Sequence, residues 1–191
     1  IWQEMQDAGV QVSVALPLTN FVKVMLFSRI DLRNHRKITV IDGKIGYSGS
    51  RNCADPEFMV KPKYAPWVDI MLRIEGPVVA QNQMLFASDW LIENPDTSLD
   101  SFYYDSTPKP NGFPAQVFSD GPTQRHGTTP QFLGALISQA QETLIISTPY
   151  FVPDYSLISI LCATAYRGVE VTMVFPKNND SIIVAATSRS Y

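Results

Sequence analysis

Alternating apolar and polar positions mark residues 10–16, VQVSVAL, directly after Ala8 and Gly9, and predict a strand that follows a helix C-terminus. The same period returns in RKITVI, residues 36–41, where Asp42-Gly43 predicts a two-residue hairpin turn into KIGYSG. A third strand is expected over WVDIMLRI, residues 67–74. From Gly76-Pro77 the pattern becomes that of a helix of about four turns, stopped by Pro95. Val78, Ala80, Met84, Leu85, Ala87, Trp90 and Leu91 are assigned to its inner face.

Turn formers crowd residues 94–114, which read as a linker or long surface excursion. Beyond it come a short strand at VFS (117–119), an N-cap with a first-turn proline at Thr129-Pro130, and a buried strand at TLIIST (143–148). Asp154 is expected to cap a helix running to Tyr166, and VEVTMVF (169–175) to form another strand. Strands alternating with helices predict an α/β chain around a largely central sheet. AGVQVSVALP (8–17) and RGVEVTMVFP (167–176) share Gly, Val, Val and Pro at identical spacing, a weak internal repeat.

The composition changes this picture little. A chain of 191 residues, 45% hydrophobic and 17% charged, builds a real core and is not disordered. No apolar run reaches the length of a membrane span, and the start, IWQEMQDAGV, has no signal-peptide pattern. It opens without Met on what reads as the tail of a helix, so the chain is taken as an excised, soluble piece whose anchor would lie upstream. Cys53 and Cys162 stand far apart without metal-type spacing and read as reduced thiols.

Charge changes it more. The net charge is -3, yet nine Lys and Arg against four Asp and Glu lie between Lys23 and Lys63. Overall acidity argues against a general nucleic-acid binder, while the local basic patch suits a small anionic ligand or an anionic surface. His35 and Lys37, two apart on an expected strand, would leave one face, where an ammonium neutralises phosphoryl oxygens and a neutral imidazole attacks phosphorus. The competing reading is a surface strand of mixed charge. Gly49 lacks a Cβ where backbone must approach a ligand, and Ser50 and Asn52 offer further polar groups.

The full spacing is H-x-K-x4-D-x6-G-S-x-N, from His35 to Asn52. It resembles the signature of the phospholipase D superfamily. With WVDIMLRIEGPVV and STPYFVPD, the chain looks more particularly like the bacterial cardiolipin synthases. The resemblance implies a phospholipase D-like α/β/α sandwich with a central mixed sheet: residues 1–113 as a first lobe carrying the motif, and 114–191 as the beginning of a second. It implies that His35 is the nucleophile forming a phosphohistidine, and that Lys37 and Asn52 hold phosphoryl oxygens with Ser50 close by. Asp69 would accept from the imidazole Nδ1–H, leaving Nε2 free to attack. Asp42 is the signature aspartate, but in a DG turn it is expected to have a structural task, as Gly49 does.

Superfamily members use two such motifs, the second histidine serving as general acid. By the repeat and the family pattern the second is due past Tyr191, so the isolated chain is expected to be nearly inactive unless two copies pair. The implied activity of the parent enzyme is phosphatidyl transfer, joining two phosphatidylglycerols into cardiolipin plus glycerol at the cytoplasmic membrane. Its expected partners are anionic phospholipid, the membrane surface, and the second lobe or a second copy, with no nucleic acid. A water-using lipase or nuclease, and a non-catalytic phosphate- or lipid-binding module, are the alternatives. No metal-ligand spacing occurs, and neither a metal nor any other cofactor is expected. His126, Trp90, Met84, Tyr150, Phe151 and Cys53 are read as surface, packing or incidental residues; Arg33 and Arg36 are read as solvated or as lipid head-group contacts.

Overall fold

The structure is a computed structural model that describes residues 1–15, 34–55, 62–64, 68–102, 107–121, 124–177 and 179–188. Arg33, Pro17 and Trp67, used in the sequence reading, lie outside the described residues. The chain divides into two compact units: Ile1–Asp55 with Val68–Thr123, and Pro56–Trp67 with Gln124–Tyr191.

In the first unit a short helix α1 (Trp2–Asp7) precedes three strands: β1 (Ile38–Ile41), β2 (Ile45–Gly49) and β3 (Met71–Glu75). They pair antiparallel in the order β1-β2-β3, with Ile38 opposite Ser48 and Gly49 opposite Met71. The hairpin forms where the sequence predicts, but its loop takes three residues, Asp42 to Lys44, between the paired Ile41 and Ile45. Lys44 N–H closes it on the Ile41 carbonyl at 3.0 Å, and both Asp42 (φ 53°) and Gly43 (φ 63°) occupy left-handed backbone that Asp and Gly tolerate best.

Helix α2 (Val78–Glu93) crosses one face of this sheet and touches all three strands. Its buried residues are Val79, Asn82, Gln83 and Ala87, which corrects the predicted inner face: Met84 is 48% exposed. Apolar side chains occur all around this helix, so the pattern alone does not orient it. The approach of the sheet does, because a Cβ built on Gly46 would stand only 2.8 Å from Ile74 Cγ1 and 3.5 Å from Asn82 Nδ2. Trp90 stacks on Phe86 and donates to Thr97 at 3.1 Å, in keeping with a packing role.

Two expected strands do not form. Residues 10–15 run irregularly, with Val10 N–H bonded to the Met5 carbonyl and Ser13 accepting from Asn94. Val117 N–H goes to the Gln81 side chain at 2.7 Å. Alternation describes a half-buried surface; it becomes a strand only when a neighbouring edge takes its hydrogen bonds.

The second unit contains a β–α–β run. Helix α3 (Thr128–Ser138) leads to β4 (Thr143–Ser147), α4 (Tyr155–Tyr166) and β5 (Glu170–Val174), followed by α5 (Ile182–Ser188). β4 and β5 pair parallel. Asp154 caps α4 as expected, accepting from Leu157 N–H at 2.7 Å. Helix α3 begins at Thr128 with Gly127 as its N-cap, two residues earlier than the Thr129 cap predicted, and Pro130 still lies in the first turn, where its missing N–H costs nothing. α3 and α4 pack through Ile137, Leu161 and Thr164, with Gly134 admitting Ile160.

Among the described residues the strands therefore make two small sheets, one antiparallel and one parallel, and the fold is mixed α/β. No helix among them is long and apolar enough to cross a membrane. In the second unit Tyr150 donates to Asp180 at 2.8 Å, and this bond, with partial burial, raises the tyrosine pKa. A raised folded value means the bond stabilises fully below about pH 10 and is lost as pH rises through that value. Tyr150 is 48% exposed, so its contribution is under about 1 kcal/mol. Urea midpoints at about pH 8 and about pH 11 should diverge more for the wild type than for Tyr150→Phe; equal losses would refute this role.

Candidate active site

Antiparallel pairing brings the start of β1, the end of β2 and the start of β3 to one end of the first sheet. His35 and Lys37 enter β1 there, Ser50 and Asn52 leave β2, and Asp69 precedes β3. Five of the residues chosen from the sequence thus belong to one sheet end. Asp42 does not: it turns the chain at the opposite end of β1, in the structural position expected of it.

His35 is exposed and lies outside the ladder, since β1 begins only at Ile38; the expected strand over 36 and 37 is not formed. Lys37 turns back on its own segment. Its Nζ donates to the His35 carbonyl at 2.6 Å. Ser50 is bound to the opposite strand: its N–H donates to the Ile70 carbonyl at 2.9 Å, and its hydroxyl donates to Asp69 Oδ1 at 2.7 Å while accepting from Ile70 N–H at 2.9 Å. Asp69 is therefore aimed by Ser50, and among the described residues the His35 ring has no hydrogen-bond partner. Asn52 is exposed, its carbonyl accepting from Ala54.

Gly49 has a reason within the fold itself. A Cβ there would lie 2.1 Å from the Ile70 carbonyl oxygen and 2.8 Å from Met71 Cα. The backbone at Ile70 and Met71 requires glycine here, next to the bond between Ser50 and Asp69.

Two residues, Asn34 and Asp89, were missed, and Arg36 was assigned no partner in the fold. Arg36, read as solvated, is turned inward, its side chain 12% exposed, and bonds both oxygens of Asp89 on α2, at 2.7 Å to Oδ2. Asn34 donates to the same carboxylate at 2.7 Å and accepts from Arg36 N–H at 3.0 Å. The only sequence signal was polar residues on either side of His35, and nothing in it pointed to a partner 53 residues away. His126 is exposed in the turn before α3, as read. Phe151 packs on Phe175 at 5.2 Å, and both cysteines are free.

Residues 133–191 match the family model described as cardiolipin synthase, PLD-like domain. This similarity to a PLD-like domain lies in residues 133–191 and is in line with the resemblance that the motif in residues 35–52 carries. Over 98% of its length it is similar to the cardiolipin synthase A of Wigglesworthia glossinidia brevipalpis, at 40% identity, and to that of Serratia proteamaculans, at 38%. The corresponding Yersinia pseudotuberculosis protein is 37% identical over the same share. The chain spans 38–39% of the length of these relatives. No solved structure matches it significantly.

Proposed function

We propose that this chain carries the nucleophilic half of a phosphatidyltransferase that makes cardiolipin from two phosphatidylglycerols. The observation that carries the reading is the convergence of His35, Lys37, Ser50, Asn52 and Asp69 at one sheet end. Similarity to proteins named cardiolipin synthase A supports it.

In this reading His35 Nε2 attacks the phosphorus of one phosphatidylglycerol. The N–P bond forms as the bond to the glycerol oxygen breaks, and glycerol leaves with a proton from a general acid. The hydroxyl of a second phosphatidylglycerol then attacks phosphorus, its proton passing to the same group, and cardiolipin departs with His35 restored. Lys37, released from the His35 carbonyl, and Asn52 neutralise and hold the phosphoryl oxygens. Asp69, already held through Oδ1 by Ser50, presents Oδ2 to the Nδ1–H of His35.

This sequence holds one H-x-K pattern of the required spacing. The general acid then comes from a second motif, in a further segment or a second copy; without it the rate falls by about 10²- to 10⁴-fold. Residues 1–113 are read as the first lobe of a phospholipase D-like α/β/α sandwich, and 114–191 as the beginning of the second. The lipid partner places the working enzyme at the cytoplasmic membrane, where a local basic patch meets anionic head groups.

The test is product analysis. The full-length natural polypeptide, given phosphatidylglycerol vesicles labelled in the head group, is expected to release glycerol and form cardiolipin in equal amounts. Phosphatidic acid in place of cardiolipin would make water the acceptor, and lipid binding without any product would favour a binding module.

A further inference from the structure

We infer that Asp89 is a positioning residue for His35, holding it through the two residues on either side; this rests on His35 being the nucleophile proposed above. The β-ladder cannot do so, because the last paired residue on this side is Ile38. Asp89 can: its carboxylate accepts from Asn34 and from Arg36, so the residues before and after His35 are both tied to α2. Arg36 also donates through Nη2 to the Asp120 carbonyl at 3.1 Å, and a Cβ on Gly121 would come within 2.9 Å of that nitrogen. Three separate stretches of the chain meet on one guanidinium.

Energetics points to placement more than to stability. The Arg36 and Asp89 side chains are only 12% and 16% exposed, and Arg36 Nε is buried with no partner among the described residues. A desolvated ion pair with an unsatisfied donor is roughly neutral to folding compared with a well-packed apolar pair. What an apolar pair could not supply is direction. The planar guanidinium and its carboxylate fix position and rotation together, and so fix the register of the intervening residue. Misplacing a nucleophile by about 1 Å can cost roughly 100-fold in rate.

The experiment compares the wild type with the double variant Arg36→Met with Asp89→Leu, which removes both charges and keeps the volume apolar. The protein is the full-length natural polypeptide, and the probe is phosphatidyl-p-nitrophenol, whose phenolate leaves without a general acid. One burst of phenolate reports attack by His35. The wild type should give a burst whose rate at saturating probe falls roughly 100-fold in the double variant, with half-saturating probe concentration unchanged. The His35 imidazole ¹⁵N signals should broaden or average while those of His126 stay fixed. A purely structural pair would leave burst rate and His35 signals unchanged in the folded variant, and that result overturns the inference. No burst in the wild type overturns the nucleophile reading itself. Should the double variant unfold, Asp89→Asn, which leaves an acceptor for Asn34, decides by the same two readouts.

Discussion

Phosphatidyl transfer is expected to fall by at least about 10⁴-fold when His35 is replaced by Ala in the full-length polypeptide, because removing a nucleophile removes the covalent route and not merely its efficiency. The wild type, quenched in base during turnover with phosphorus-labelled phosphatidylglycerol, should yield a labelled phosphohistidine. His35→Ala should yield none. His126→Ala provides the control, since His126 is exposed in the second unit and plays no part in the proposed chemistry. Retention of a tenth of the activity by His35→Ala, or label lost equally in both variants, would remove His35 from the mechanism.

The second large effect concerns folding. Gly49→Ala would drive a Cβ to 2.1 Å from the Ile70 carbonyl oxygen, and neither atom belongs to a side chain that can swing away. β2 and β3 must part, breaking the bonds that tie Ser50 to Ile70 and Asp69. A cost of at least about 3 kcal/mol is expected, equivalent to a fall in Tm of roughly 6–12 °C for a chain of this size. Gly46→Ala should cost less, because its closest contact is the movable side chain of Ile74, at 2.8 Å. Thermal melts of the two variants side by side check the ranking. A Gly49→Ala protein that melts with the wild type would show that β3 yields easily.

Local chemistry was readable where neighbours in sequence are neighbours in space. The Asp42-Gly43 turn, the hairpin it joins and the Asp154 cap depend on contacts within a few residues; the cap stands where the pattern puts it, while the turn takes in Lys44 and β1 begins two residues later than expected. Residues 10–15 alternate just as clearly, yet no strand edge receives them among the described residues, and alternation cannot supply one. The inner face of α2 was misassigned because apolar side chains surround it; the sheet packed on it, with Gly46 opposite Asn82, selects the buried face. At the candidate site the spacing picked out residues that share one sheet end but not their supports. That Arg36 would fold inward to Asp89, and that Gly49 answers to Ile70, are tertiary facts with no periodic trace.

The turn from Asp42 to Lys44 also has a practical meaning. It lies about 17 Å along the strand from Lys37, and Lys44 is exposed. A fluorophore attached there through a cysteine, with the two exposed native thiols replaced, would sit clear of the proposed lipid site, at the far end of the hairpin. Quenching of such a probe by labelled vesicles would then measure how deeply this unit approaches a bilayer during turnover, independently of whether any product is formed.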